Sequence, residues 1–489
     1  MTSRGTSAGR RSEGPARRPA LHRELRFAET ASVSVGVMAP TLAMSVTGVA
    51  AASALGRAAP LAFAVAALGV GLVAYGFVRL AGEFSHAGSV YGFVGNTLGP
   101  RPGFLAGWAL LGTYLVFPPV SIMGVAIFGR AFLATIGVAA NADWYPLALG
   151  AWAVIGVLAA RGVRPTTRSV LAFEAVSVCL ILVLMGVIYW RLAAGTAPGG
   201  RHFSGSVFVL PPRVGLSSLA LAATAGFLAF AGFESAGSLG EESFAPTRVV
   251  PRAIMTAVAF GAVFYVACVT AQSLGFGAAA GGVSAFRHSQ APLGDLAKRY
   301  VGTPLAASLD LGAVLSALGA GLGGVTVAAR MLFSFGRDGI ADRRLAGVSP
   351  ATGVPRRALA AEMLVGIVLL SAFRLAGTSA LNVFFYLATI GTLSLLTMYV
   401  LTNVAAARHL GRRSPWQVVV PAGGVLIAGY VLYRNIWPVP PAPYKYFPYL
   451  VLGWLAAGLV LTAVIAGFAG KVGTGLERVA EAEAGAQGR

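Results

Sequence analysis

Charge is what this sequence lacks most. Asp, Glu, Lys and Arg make up 11% of its 489 residues, where a water-soluble chain carries about a quarter. Acids are the scarcer sign: 17 Asp and Glu stand against 37 Lys and Arg, for a formal net charge of +20. Cysteine is nearly absent. Cys179 and Cys268 are the two, both inside apolar stretches, so they read as packing residues and support neither a disulfide nor a metal site. The five histidines, His22, His86, His202, His288 and His409, all fall in tails or connections, which argues against a metal centre within the apolar segments. No cofactor is expected, and no loop carries a hydrolase or nucleotide signature.

Hydrophobic residues are abundant at 56%, and they fall in long runs instead of the short amphipathic stretches of a soluble core. Each run supplies roughly 20 residues of helix, enough to cross a bilayer. The spans expected are 31–55, 59–82, 104–132, 144–160, 169–192, 216–240, 252–276, 304–335, 359–375, 381–405, 418–436 and 448–470. The fold class is therefore an all-α polytopic membrane protein of about twelve helices. Residues 1–27 read as a disordered basic tail, not as a signal peptide, and 471–489 as a second tail.

The excess of Arg does not point to nucleic acid, because it is scattered over short connections without interleaved aromatics. With twelve spans and the N-terminus in the cytoplasm, roughly 25 of the 37 Lys and Arg fall on cytoplasmic segments. Arg337, Arg343, Arg344, Arg356 and Arg357 share one such connection. Both termini are thus expected to be cytoplasmic. The connection 277–302 ends in Asp295, Lys298 and Arg299 and reads as a short helix on the membrane surface.

Two spans carry faults. In the first, Pro40 lies in Met38-Ala39-Pro40-Thr41-Leu42, between Gly36 and Gly48. Proline removes a backbone donor and disturbs the carbonyl one turn earlier. In the sixth, Gly226, Gly232, Gly237 and Gly240 surround Glu234, a carboxylate where burial in lipid is costly. Either fault alone reads as a kink. Together they sit five spans apart, the spacing of equivalent first helices in two inverted five-helix repeats. In such an arrangement freed amides of one break bind a carboxylate and freed carbonyls of the other bind an ammonium, so a zwitterion is the natural ligand.

Three blocks in order then carry a resemblance. Gly232-Phe-Glu234-Ser, Gly240-Glu-Glu and Pro246-Thr-Arg248-Val-Val-Pro251-Arg252-Ala253-Ile254 resemble the hallmark of the amino acid–polyamine–organocation (APC) permeases. Ser85-His-Ala-Gly-Ser-Val-Tyr91 with Leu98-Gly-Pro-Arg101-Pro-Gly-Phe-Leu-Ala-Gly-Trp108 is similar to that family's second-to-third helix connection. Ala328-Ala-Arg330-Met-Leu-Phe-Ser-Phe-Gly-Arg337-Asp338-Gly resembles the end of its eighth helix.

The resemblance implies a 5+5 inverted repeat of the LeuT type, with repeats over 28–192 and 193–405 and two peripheral helices within 406–470. It implies a secondary active amino acid transporter in the plasma membrane, coupled to protons or sodium or working by exchange. Met38, Ala39, Pro40, Thr41 and Leu42 match the carboxylate-binding stretch, although they depart from the family's Gly-Ser-Gly pattern. Leu228, Ala229, Phe230 and Ala231 match the positions for carbonyls and gating side chains, with Phe230 assigned to occlusion. Glu234 is the coupling candidate, or a carboxylate that only bonds loose amides. Glu174 reads either as a proton site beside the first break or as a near-surface acid bonded to Arg168. Glu241 and Glu242 are expected to pair with Arg248 or Arg252, and Glu83, Asp310 and Glu362 to be interfacial. Ser316 and Thr326 supply hydroxyls on the eighth span but no specific sodium signature. A polyamine or organic-cation permease is the alternative substrate class, and a membrane sensor that binds an amino acid without moving it the alternative function.

Overall fold

A computed structural model describes residues 26–84, 89–138, 143–162, 164–212, 214–465 and 467–473, with no side chain described at 164–171 or 238–242. Residues 1–25 and 474–489 of the two tails, with His86, Arg168, Glu241 and Glu242, therefore lie outside the described residues or side chains. Among the described residues there are helices and no β-strand, as a bilayer requires of a chain that must satisfy its backbone internally. Nine stretches are long and apolar enough to cross a membrane. The first, Phe27–Ala81, holds two passes, and the shorter apolar helices Trp144–Ala160 and Leu216–Phe230 complete the twelve expected.

The first span is two helices, α1 (Phe27–Met38) and α2 (Pro40–Leu55), followed by α3 (Ala59–Ala81) and the short α4 (Val90–Leu98). The longest helix is α5 (Pro100–Thr135). It tolerates Pro118 and Pro119 in its interior because neighbouring helices can re-satisfy the freed carbonyls. Next come α6 (Trp144–Ala160), α7 (Arg164–Ala193) and α8 (Leu216–Phe230), the last continued by a 3₁₀ segment, Phe233–Glu242. After these run α9 (Pro246–Phe276), α10 (Ala280–His288), α11 (Pro292–Tyr300) and α12 (Thr303–Arg337). The chain closes with α13 (Arg356–Leu375), α14 (Ala380–Gly411), α15 (Val419–Arg434) and α16 (Phe447–Val464).

Two hydrophobic bodies meet at the first span. One gathers α1, α3, α8 and α9, with Phe63, Phe77, Phe227 and Tyr265 among its buried side chains. The other gathers α5, α6, α12, α13 and the start of α14, and it takes Ala39, Leu42 and Val46 of α2. The last helix is pinned to α5 by a pair of tryptophans. Trp108 and Trp454 stack at 4.2 Å, and each indole N–H donates to the other's carbonyl, at 2.7 and 2.9 Å.

Several positions depart from expectation. Connection 277–302 does form helix, but Leu293, Leu296 and Ala297 of α11 are buried against α7, α9 and α12, so it is wedged into the protein. That wedge covers Asp310, which is 3% exposed and accepts from Thr135 at 3.3 Å. Glu362 is 0% exposed, because α13 turns it inward with Leu359 and Gly366. Both acids are buried, whereas Glu83 is partly exposed and pairs with His409 at 2.5 Å and with Arg413. Cys268 is buried as expected, whereas Cys179 is exposed on the outer face of α7.

Candidate functional site

The first break is one residue wide. Pro40 has no N–H to continue α1, and its ring obstructs the carbonyl four residues back. Ala39 therefore turns left-handed, at φ 46° and ψ 62°, a conformation that costs a non-glycine residue about 1–2 kcal/mol. Its N–H caps α1 by donating to the carbonyls of Val35 and Gly36. Pro40 then starts α2, where a missing N–H costs nothing.

The second break is softer. Helix α8 ends as the Ala231 N–H donates to the Leu228 carbonyl at 3.1 Å. Gly232 follows at φ 112°, a region open to glycine alone. The two breaks touch there: a Cβ on Gly232 would lie 2.8 Å from both the Met38 nitrogen and the Val37 carbonyl carbon. Ser34 of α1 adds a hydroxyl bond to the Phe233 carbonyl at 3.3 Å.

Between the breaks and the second hydrophobic body lies a cavity of about 60 Å³. Met38, Ala39 and Leu42 line it from the first break, Leu228, Ala231 and Gly232 from the second. The facing walls include Tyr114 and Phe117 of α5 and Phe384 of α14. A helix end frees four carbonyls. Those of Val35 and Gly36 are taken by Ala39, while Val37 and Met38 belong to the lining.

Each break also holds a buried carboxylate. Glu234, 2% exposed, accepts from Tyr114 at 3.0 Å, Tyr399 at 3.2 Å and the Gly232 N–H at 3.1 Å. It thus ties the second break to α5 and α14. Tyr399 is held in turn by Phe233 and Phe77, at ring separations of 5.4 and 5.9 Å. Glu174 of α7 is 4% exposed and accepts the Thr41 N–H at 2.8 Å. The next amide, Leu42, donates to Ser316 of α12 at 3.2 Å. Of the two readings of Glu174, the near-surface one is set aside: it caps α2 at the break. No cluster of His, Cys, Asp or Glu among the described residues is fit to hold a metal.

The expected site residues divide. Met38, Ala39, Leu42, Leu228 and Ala231 reach the cavity. Thr41 turns its amide to Glu174 instead, and Pro40 and Ala229 are buried away from the lining. Phe230 does not occlude the cavity, because its ring packs edge-on against Tyr265 at 5.0 Å. The aromatic walls are Phe117 and Phe384, and these the sequence reading missed, along with Tyr114 and Tyr399. One signal was available for Phe117: it precedes the Pro118-Pro119 pair, itself a mark of a specialised span.

Comparison with known proteins agrees with this architecture. The Amino acid permease family model matches residues 31–415. The Low-affinity putrescine importer PlaP of Escherichia coli (strain K12) is 26% identical over 323 residues, 64% of this chain and 66% of its own length. That match spans just under two thirds of the importer. The Methylthioribose transporter of Bacillus subtilis (strain 168) is 24% identical over 461 residues, covering 90% of this chain and 93% of that one. The Branched-chain amino acid permease BcaP of Lactococcus lactis subsp. cremoris (strain MG1363) is 25% identical over 440 residues, 83% and 90% of the two chains. A family match that takes in both helix breaks and the helices walling the cavity leaves one conclusion: this chain is a multi-pass membrane protein and belongs to the amino acid permease family.

Proposed function

We propose that this transporter moves a small, mainly apolar amino acid across the plasma membrane by alternating access, as uptake or exchange. The observation that carries the reading is the cavity enclosed between two helix breaks. Its lining is mainly apolar, with Thr47, Tyr114 and Ser121 as the polar residues, and takes in Val37, Met38, Leu228 and Ala231 from the breaks. Carbonyls at such breaks suit an ammonium, and the apolar wall suits an aliphatic side chain. At about 60 Å³ the cavity is far smaller than the usual ligand pocket of some 300 Å³ or more. Binding must therefore widen it by moving one hydrophobic body against the other.

The two bodies support a division into inverted repeats over 28–192 and 193–405, with 406–470 peripheral. The Arg-rich connections favour both termini in the cytoplasm. Glu174 and Glu234 are the candidate proton carriers, since each is buried at a break where movement is needed. A polyamine or organic cation is the second reading, favoured by the similarity to PlaP, a putrescine importer. Against it, no Asp or Glu among the described residues lines the cavity.

The test is purified protein in liposomes, assayed with labelled neutral amino acids and with putrescine, with and without an inward proton gradient. Uptake or counterflow of a neutral amino acid is expected, stimulated by the gradient. Movement of putrescine alone would establish the second reading. Binding of an amino acid without movement would make the chain a sensor.

A further inference from the structure

We infer that Glu174 is a built-in competitor for the substrate's carboxylate: it holds the Thr41 amide at the start of α2 that a zwitterion needs, and yields it only on taking up a proton. The inference rests on the amino acid reading above. It begins from where the amides at this helix end go. Pro40 has none. The Ala39 N–H is spent on α1, and the Ala43 N–H bonds back to the Ala39 carbonyl at 2.9 Å. Thr41 donates to Glu174 at 2.8 Å and Leu42 to Ser316 at 3.2 Å. Every donor that makes a helix N-terminus an anion site is thus already bonded within the protein, and an anion already sits there.

A substrate carboxylate arriving at Met38, Ala39 and Leu42, which line the cavity, has to displace that anion or lie beside it. Two carboxylates in one buried site cannot both stay ionised. Among the described residues, the groups facing Glu174 offer no cation to hold them. They are the Thr41 amide from α2, the Ser316 hydroxyl from α12 and the Tyr265 hydroxyl from α9. On its own helix Ser177 bonds the Phe173 carbonyl at 2.9 Å. One proton resolves the conflict. It enters on the Glu174 oxygen that leaves the Thr41 N–H, and the neutral acid becomes a donor able to bond the incoming carboxylate. Tyr265 supplies a second donor. Its hydroxyl is fully buried, has no hydrogen-bond partner among the described residues and lies within electrostatic reach of Glu174. The net charge at the break is the same before and after: one carboxylate replaces another, and one proton is carried with each substrate. Glu234 does not play this part, because two tyrosines and Gly232 hold it at the other break.

The experiment is equilibrium binding to the purified full-length protein between about pH 5 and pH 8. The probes are labelled leucine, valine and alanine, each beside the amine that lacks its carboxylate. Where Glu174 is ionised, uptake of one proton per substrate makes amino acid affinity fall about tenfold per pH unit. The decarboxylated amines should show no such slope. Glu174→Gln keeps an acceptor for the Thr41 amide, and should bind the amino acids with a flat pH profile. A slope that persists unchanged in E174Q overturns the inference. If E174Q does not fold, proton release or uptake by the native protein decides in its place: about one proton taken up per amino acid bound supports competition, and none overturns it. Amines that bind while no amino acid binds at any pH would sink the amino acid reading and the inference together. A flat profile in the native protein sinks the inference alone.

Discussion

Substituting Gly232 with Ala probes the contact between the two breaks directly. At φ 112° the backbone sits where an L side chain is strained by about 1–3 kcal/mol. The added methyl would also lie 2.8 Å from the Met38 nitrogen, the Val37 carbonyl carbon and Val37 Cγ1. Two of those atoms are backbone, so no side-chain rotation relieves the overlap, and overpacking of this kind costs about 1–3 kcal/mol more. The expected loss is therefore about 2–6 kcal/mol, met either by unfolding or by the breaks moving apart. Thermal unfolding in detergent, read beside uptake in liposomes, separates the two. Gly453→Ala is the control, since nothing lies within 4 Å of a Cβ at that position; it should be neutral or stabilise by about 0.5–1 kcal/mol. Gly232→Ala with native melting and native uptake would refute the claim that the breaks are packed against each other.

Three further outcomes follow from particular contacts. Tyr114→Phe and Tyr399→Phe each remove one donor from buried Glu234, at about 1–3 kcal/mol apiece. Because both act on one carboxylate, the double variant should depart from additivity in a thermal-stability cycle, and strict additivity would argue against a shared cage. Leu228 lines the cavity, so Leu228→Ala should shift preference toward larger side chains and Leu228→Phe toward smaller. Competition assays should show changes of about tenfold or more, and an unchanged ranking would remove Leu228 from the wall. Glu362 is buried with both carboxylate oxygens unpartnered among the described residues, so Glu362→Leu should raise the melting temperature; a lower value would show that the acid has a partner.

The breaks were legible in the sequence because their causes are local. Pro40 cannot continue a helix wherever it stands, and Gly232 beside Glu234 marks backbone that is not ordinary lipid-facing helix. The rotational phase of the helices was not legible. In water, apolar residues mark the buried face, but a helix in lipid is apolar all round. Nothing in the neighbourhood of Glu174 could therefore say whether it faced Arg168 or the α2 amides. The same lack of phase hid Glu362, and Phe230 was assigned to the cavity although its face of the helix meets Tyr265. Phe117 and Phe384 were lost for a different reason. They meet across the site from α5 and α14, and no local pattern in either helix records the other.

How the protein can move follows from which directional bonds tie the two breaks to their neighbouring helices near the cavity. Apolar surfaces slide without directional penalty, so the directional bonds set the positions of rest. Leu42 to Ser316, at 3.2 Å, ties the first break to α12. Tyr114 to Glu234, at 3.0 Å, ties the second to α5. Each contributes about 0.5–1.5 kcal/mol net, or up to about 3 kcal/mol with a charged partner. Opening both thus needs only a few kcal/mol, within reach of the differential binding that a substrate can supply. The carboxylates make that switch selective. An apolar molecule could widen the cavity, but it would leave Glu174 on the Thr41 amide and Ser316 on that of Leu42. Only a ligand that brings its own acceptor can take those amides, and so free the first break from α7 and α12 at once.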